Sequence, residues 1–200
     1  MPEAASTRVS LLIRLRDNSD DDAWSQFVDI YGPLIFHFAR RCQLQESDAA
    51  DLVQEVMSEV AKSMVRFEYD PEIGQFRSWL FKVAKRTSYR IYQKQLKQPK
   101  GTGDTRAIER LLSEPDQHDD LQPIWDQEYQ QHLLGWATEQ IRYQFQDQTW
   151  RAFWLTSVEE RTPQEVAELT GLSVGAVYVA KSRGLKKLAE KIRDVDDSFE

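Results

Sequence analysis

The side chains with the clearest chemical meaning in this 200-residue sequence are cations gathered in two short stretches. Residues 77–100 carry eight Lys or Arg and no acid, and residues 178–193 carry six bases and one acid. Elsewhere acids dominate, with fourteen acids against seven bases in 1–72 and eight against two in 104–128. Cationic blocks in a chain of net charge −7 predict nucleic-acid contact at the blocks and a different partner elsewhere.

Residues that usually carry catalysis are sparse. Cys42 is the single cysteine, which excludes an intramolecular disulfide and a cysteine-based zinc site. The histidines His37, His118 and His132 form no metal-ligand or nucleophile–base pattern, and we predict that His37, in the apolar run LIFHFA, packs against the core. We therefore expect no enzymatic activity and no cofactor. Neither a signal peptide nor an apolar run of membrane-spanning length is visible, so we expect a cytoplasmic protein with no membrane partner.

The elements that must position these cations are helices. Apolar residues recur at spacings of three and four and no alternating strand pattern is found, so the sequence predicts an all-α fold. Gly32-Pro33 should bend or interrupt the first long helix, and Ser47 is a suitable N-cap for the second. The predicted helices before the C-terminal segment cover about 20–42, 48–66, 75–97, 124–146 and 148–158.

The helical pattern fails between residues 98 and 122. This stretch is polar and acidic, with two prolines and two glycines, which is typical of a flexible linker. We therefore predict two small helical domains, covering 1–97 and 123–200, joined by the acidic linker 98–122.

The C-terminal segment has the pattern of a helix-turn-helix. Thr162-Pro163-Gln164-Glu165 is a capping box with proline at the first helical position. Val166 and Leu169 should face inward, Gly171 supplies the turn, and Ser173 caps a longer helix that runs to about residue 193.

The longer helix divides into an apolar and a basic side at about 100° per residue. We predict that Val174, Val177, Leu185, Leu188 and Ile192 face inward, with Tyr178 at their edge. The outer side would enter a major groove, where Arg183 can pair with guanine and Val179 can touch a thymine methyl group. The alternative is a helical hairpin with a solvated basic face. The predicted outer side consists of Ala176, Val179, Ala180, Arg183, Lys186, Lys187 and Glu190.

The basic helix before the linker combines cations with aromatic rings. Its predicted outer face holds Lys82, Lys85, Arg86, Tyr89 and Gln93, and Phe81 and Tyr92 flank that face. Such a face is suited to single-stranded DNA, because the cations can bind the phosphate backbone of the DNA and the rings can stack on unpaired bases. The alternative is an amphipathic helix whose aromatic rings are covered by neighbouring helices.

The helix over 48–66 presents acids along its outer side. Asp48, Asp51, Glu55 and Glu59 are aligned by spacings of three and four, with Gln54 nearby. This surface would repel nucleic acid and fits a basic protein surface, although a solvated face is the usual meaning of such a stripe.

The order of these segments resembles a known family. DAADLVQEVMSEV (48–60), FRSWLFKVAKRT (76–87), an acidic linker and the helix-turn-helix resemble a bacterial RNA polymerase sigma factor of the extracytoplasmic-function (ECF) group of the sigma-70 family. The resemblance extends from about residue 20 to about residue 190.

This resemblance implies three binding surfaces and a path for the linker. Core RNA polymerase would bind Asp48, Asp51, Gln54, Glu55 and Glu59. The melted −10 element of promoter DNA would bind Arg77, Trp79, Lys82, Lys85, Arg86, Tyr89, Arg90 and Gln93. The loop 67–75 would help to form a pocket for a flipped base, and the linker would run through the RNA-exit region of the polymerase. The duplex −35 element would bind Ser173, Ala176, Val179, Ala180, Arg183, Lys186 and Lys187.

Two other classes of protein fit part of the sequence. A stand-alone helix-turn-helix regulator explains 162–193 but gives the segment 48–97 no purpose. A helical adaptor that binds only protein predicts that charge reversal at Arg183 and Lys187 has no effect. If the chain is a sigma factor, an anti-sigma protein is a further candidate partner, which the sequence leaves open.

Overall fold

The computed structural model describes residues 9–66, 76–96 and 121–196. These ranges contain α-helices and no strand, so the all-α prediction is confirmed. The linker and the loop 67–75 lie outside the described residues, except for the last two linker positions, 121 and 122. The helices are α1 Val9–Arg14, α2 Asp21–Arg41, α3 Glu46–Met64, α4 Phe76–Leu96, α5 Gln122–Arg142, α6 Asp147–Ser157, α7 Pro163–Thr170 and α8 Val174–Arg193.

Helix α2 begins at a charged cap. Asp20 Oδ1 accepts a hydrogen bond from the Ala23 N–H at 3.0 Å, and Arg14 donates to both Asp20 oxygens at 2.7 and 2.8 Å. These hydrogen bonds lower the pKa of Asp20. Of the predicted bend or interruption at Gly32-Pro33, the interruption is wrong, because α2 continues to Arg41. Proline removes one helical hydrogen bond, and the burial of the neighbouring residues Gly32 and Leu34 offsets that loss.

Two further local features differ from the sequence analysis. Helix α1 was not predicted, because its six residues are too few to show a clear periodicity. Ser47 does not cap α3, since the helix begins at Glu46 after Gln45, which makes no side-chain cap hydrogen bond. The Ala49 N–H donates instead to the Gln45 carbonyl at 2.8 Å, which places Ser47 inside the first turn.

The chain divides into two compact units, with unit 1 ending at His132 and unit 2 beginning at Leu133. The boundary therefore lies inside α5, ten residues after the predicted domain start at 123. The first half of α5 belongs to unit 1 because its aromatic side chains are buried there. Trp125 packs edge-on against Phe38 at 5.4 Å between ring centroids, and Tyr129 stacks on Tyr31 at 5.4 Å.

Aromatic rings also form the rest of the unit 1 core. Phe27 lies 4.7 Å from Tyr31 and 5.9 Å from Phe76, measured between ring centroids, which ties α2 to the start of α4. Phe81 reaches Phe38 at 5.6 Å. Each fully buried ring of this size contributes roughly 1.5–3 kcal/mol to the free energy of unfolding. This core fixes α4 to α2 and to the first half of α5.

Unit 2 is a small bundle of α6, α7, α8 and the second half of α5. Its core cluster contains Ala152, Leu155, Val166, Val177 and Ala180. The helical pattern of 124–158 also predicts that the aromatic residues of this unit are core. Trp136, Phe145 and Phe153 are buried and Trp150 is partly buried, whereas Tyr143 and Trp154 are exposed. Leu169 was predicted to face inward and is also exposed, because Val166 alone fills the buried side of the short α7.

A close approach between α6 and α8 defines the packing of unit 2. Gly184 lies directly against the ring of Phe153, and a Cβ built on Gly184 would come within 2.2 Å of Phe153 Cδ2. Because Phe153 is itself buried, its ring cannot move into solvent to make room.

We expect Gly184→Ala to lower the free energy of unfolding by about 1–3 kcal/mol, because the methyl group overpacks the core. Gly135→Ala is the matched control, since a Cβ there meets nothing within 4 Å and alanine favours helix. Urea denaturation followed by circular dichroism measures both. If the two variants were equally stable, α8 would not approach α6 as closely as described.

Candidate nucleic-acid and protein interfaces

Helix α3 has one buried face and one acidic face. Its buried residues are Ala49, Leu52, Val56, Val60 and Met64. On the other side Asp51, Gln54 and Glu59 are exposed, and Asp48 and Glu55 are partly exposed. All five residues predicted for polymerase binding therefore lie on one solvent-accessible face. Within the described part of the chain Asp51 has no ion-pair partner, so its charge is available to a cationic surface.

Helix α4 is more deeply buried than its sequence predicts. Arg77, expected to meet DNA, is only 2% exposed, with its guanidinium carbon 4.3 Å from the Tyr129 ring centroid. Its Nε lies 3.9 Å from Asp126 Oδ1. Lys85, predicted on the outer face, is 5% exposed. The predicted exposure of Lys85 is wrong, and Arg77 is buried as well. Helix α4 packs against α5 in addition to α2 and α3, which widens its buried side.

The aromatic residues predicted to flank the basic face are also covered. Phe81 is buried between Phe38 and Trp125, at 5.6 Å from each ring centroid, and Tyr92 is buried as well. The alternative of aromatics covered by neighbours is therefore correct for these two rings. A narrow strip remains accessible, in which Lys82, Arg86 and Arg90 are exposed and Trp79, Tyr89 and Gln93 are partly exposed.

The acidic face of α3 and the basic strip of α4 are in contact. Arg90 donates to Glu55 in an ion pair, and Arg86 Nη2 lies 3.9 Å from Glu59 Oε1. The two carboxylates are one helical turn apart on α3, as are the two guanidinium groups on α4. Two of the residues predicted to bind polymerase, Glu55 and Glu59, therefore form ion pairs with two residues predicted to bind DNA.

The turn of the helix-turn-helix has the predicted hydrogen bonds. The Thr162 N–H donates to Glu165 Oε2 at 3.0 Å, and the Glu165 N–H donates to Thr162 Oγ1 at 3.4 Å. Hydrogen bonds from Thr162 lower the pKa of Glu165. Gly171 ends α7 at φ 71°, a conformation that favours glycine, and Ser173 Oγ accepts from the Ala176 N–H at 3.2 Å. The capping box, the glycine turn and the Ser173 cap are all confirmed.

The buried side of α8 is rotated from the predicted one. Val177, Ala180, Gly184 and Ile192 are buried, whereas Leu185 is 45% exposed. The prediction of Ala180 on the outer face is wrong. A helical wheel assigns the buried side from the large apolar side chains. In α8 the small residues Ala180 and Gly184 face the core instead, because they allow α6 to approach closely.

The remaining residues predicted for the −35 element lie at or near the exposed side. Val179 is 66% exposed, and Arg183 and Lys186 are exposed. The Arg183 guanidinium carbon lies 5.3 Å from the centroid of the Phe145 ring, which steadies its long side chain. Of the others, Ser173 is exposed and serves as the helix cap, Ala176 is partly exposed, and Lys187 forms an ion pair with Glu190 at 3.1 Å.

Two accessible residues on this side were not predicted as contacts. Tyr178 is 57% exposed and Ser182 is exposed, and both flank Val179 on the helix surface. The signal that could have revealed them is the Ala180–Gly184 pair. Small residues four positions apart mark a close helix contact, and placing that pair inward brings Tyr178 and Ser182 outward.

The described residues offer no metal centre, since no group of three or more potential His, Cys, Asp or Glu ligands comes together there. His37 is exposed rather than packed in the core, with its ring centroid 4.9 Å from that of His132. Burial and the nearby His37 lower the pKa of His132. Cys42 is buried, which raises the pKa of its thiol to about 12. None of the helices in the described ranges combines the length and hydropathy needed to cross a membrane.

Comparison with known proteins finds two matching segments. The family model described as Sigma-70 region 2 matches residues 27–97, and that described as Sigma-70, region 4 matches residues 148–188. Together they cover more than half of the chain.

One relative and one solved structure are similar over most of their length. The ECF RNA polymerase sigma factor RpoE of Cereibacter sphaeroides is 24% identical over 169 residues, which are 84% of this chain and 86% of the relative. The structure of CnrH in complex with the cytosolic domain of CnrY is 20% identical, covers 92% of this chain and 96% of that chain, and has a TM-score of 0.37.

With a helix-turn-helix in unit 2 and both matched regions in the expected order, the chain belongs to the sigma-70 family of RNA polymerase sigma factors. The matches to regions 2 and 4, together with the similarity to RpoE, support its place in the ECF group of that family. The protein binds core RNA polymerase and directs transcription initiation at promoters. A stand-alone regulator or a protein-only adaptor does not account for the match to region 2.

The rotation of α8 can be measured by cysteine labelling. Because Cys42 is buried and its thiol has a raised pKa, the wild-type chain should react slowly with a maleimide. We expect Val179→Cys to react roughly tenfold faster or more than Ala180→Cys, since only position 179 is exposed. Equal rates at the two positions would support the rotation predicted from the sequence instead.

Proposed function

We propose that the acidic face of α3 is the docking surface for core RNA polymerase. This face contains Asp48, Asp51, Gln54, Glu55 and Glu59. The opposite side of α3 is buried in the core, which holds the helix in place. A preformed row of acids on a rigid helix complements a cationic protein surface and steers association with it. This surface belongs to the segment that matches region 2.

We propose that the accessible strip of α4 engages the melted −10 element. Lys82, Arg86 and Arg90 supply cations for the phosphates, and Tyr89 supplies a partly exposed ring for an unpaired base. Trp79 and Gln93, also partly exposed, border this strip. Arg77 and Lys85 are buried, so their role is to position α4 rather than to bind DNA. The loop 67–75, expected to complete a base pocket, lies outside the described residues.

We propose that the exposed side of α8 reads the −35 duplex. Arg183 can pair with a guanine in the major groove, and Val179 can touch a thymine methyl group. Lys186 is exposed and can hold a phosphate, and the exposed Ser173, which caps the first turn of α8, lies near the same end of the helix as Ala176. Ala176 and Lys187 lie at the edge of this surface, whereas Ala180 belongs to the core.

The domain assignment follows from these surfaces. Residues 1–97 would act as the region 2 domain and the chain after the linker 98–122 as the region 4 domain, with the first half of α5 joined to unit 1. We propose that the chain carries out no catalysis itself and acts in the cytoplasm with the polymerase. An anti-sigma partner remains a hypothesis from the family resemblance.

The observation that carries this proposal is the separation of charge within unit 1. Acids on α3 and cations on α4 form two adjacent surfaces of opposite sign, although the whole chain is acidic. A protein that must hold an enzyme and an opened DNA strand at the same time needs such a pair of surfaces.

Run-off transcription with purified core polymerase tests the docking surface. We expect the wild-type chain to produce transcripts with a defined start point. Asp51→Arg should weaken core binding by about tenfold or more and abolish these transcripts, because it reverses an exposed charge on the acidic face.

Asp29→Arg is the matched control, because Asp29 is an exposed acid on α2, outside the proposed surface. It should preserve core binding and transcription. Normal core affinity in Asp51→Arg would move the docking surface elsewhere, and a wild-type chain that never directs initiation would overturn the proposed function.

The strip of α4 can be tested separately from docking. The double variant Arg86→Ala, Tyr89→Ala should reduce promoter opening by about tenfold or more, since it removes a phosphate contact and a stacking ring. Permanganate reactivity of unpaired thymines measures opening, and core binding is measured in parallel and should not fall. Arg16→Ala removes an exposed cation outside α4 and should leave opening unchanged. Equal losses of opening and of core binding would contradict this assignment.

A further inference from the structure

The contacts between α3 and α4 form a ladder of two ion pairs. Glu55 pairs with Arg90, and Glu59 pairs with Arg86. The two acids are four residues apart on α3 and the two arginines are four residues apart on α4, and the pairs follow opposite orders along the two helices. We refer to these four residues as the charge ladder. Its side chains are partly exposed or exposed, so it can open without disturbing the aromatic core beneath it.

Each member of the charge ladder has a competing use in the function proposed above. Glu55 and Glu59 lie on the face assigned to polymerase, and Arg86 and Arg90 lie on the strip assigned to DNA. A guanidinium that holds a phosphate brings that phosphate close to the carboxylate it was paired with, and the two anions repel. A carboxylate that meets a cation of the polymerase is likewise less available to its arginine.

We propose that the charge ladder couples polymerase docking to DNA binding by exchange of ion-pair partners. In the free chain, Glu55 and Glu59 hold Arg86 and Arg90 and lower their availability to DNA. When the polymerase engages the two carboxylates, the two guanidinium groups are released toward the opened strand. This inference rests on the proposed assignment of α3 to polymerase and of α4 to DNA.

The coupling acts in both directions and is modest in size. Thermodynamic linkage requires that DNA bound to the strip raises polymerase affinity by the same factor by which polymerase raises DNA affinity. Exposed ion pairs contribute little individually, so we expect a factor of about two to ten for the two rungs together. The factor should decrease at high salt, because exposed charges are screened.

The first arm of the test measures the free protein. Glu55→Gln with Glu59→Gln should tighten binding to a fluorescent single-stranded oligonucleotide by about two- to tenfold at low salt, measured by anisotropy. The control is Glu46→Gln with Asp29→Asn, which removes the same charge from two exposed acids that have no ion-pair partner among the described residues. If the control tightens binding as much as the ladder variant, net charge explains the effect and the charge ladder is overturned.

The second arm measures polymerase binding without DNA. Arg86→Gln with Arg90→Gln releases both carboxylates and should raise affinity for core polymerase by about two- to tenfold. Unchanged or weaker affinity in this variant, beside a wild-type chain that binds core normally, overturns the charge ladder and leaves the proposed function intact. A wild-type chain that fails to bind core overturns the proposed function itself.

Discussion

The packing of α4 against three helices at once is the constraint on which the rest of the structure depends. Its aromatic side chains are held by α2 and by the first half of α5, and its opposite edge meets the acids of α3. A narrow strip that begins at Trp79 and includes Lys82 and Gln93 remains accessible to water. Because the helix is fixed on so many sides, that strip has a defined position, and cations on it are presented to DNA at little further cost in conformational entropy.

The same packing explains how an acidic protein can carry DNA-binding helices and still bind DNA only weakly by itself. Arg77 and Lys85 are buried and contribute little to the electrostatic surface, while Arg86 and Arg90 are matched by carboxylates of α3. The free chain therefore exposes less unpaired positive charge than its basic blocks imply. Non-specific DNA binding scales with the number of phosphates neutralised, so this arrangement keeps it weak until the polymerase supplies additional contacts.

In unit 2, small residues rather than large ones determine how closely the helices pack and which side of α8 is buried. The contact between Gly184 and Phe153 brings α8 close to α6 and turns Ala180 inward. As a result Val179, with Tyr178 and Ser182 beside it, is accessible, and Arg183 is steadied by the Phe145 ring. The capping box and Gly171 determine where α7 ends and α8 begins, and the Gly184 contact determines which side of α8 meets DNA.

The sequence by itself determined the all-α class, the bounds of the long helices to within about one turn, the capping box, the Ser173 cap and the order of segments that indicated the family. These features depend on residues near one another in the chain, whose hydrogen bonds and periodicity are local. Only the tertiary structure decided the burial of Arg77, Lys85 and Ala180, the rotation of α8, the docking of Trp125 and Tyr129 in unit 1, and the pairing of Glu55 with Arg90. Each of these depends on which helix packs against which, and the periodicity of a single helix does not specify how many neighbours it has or how closely they approach.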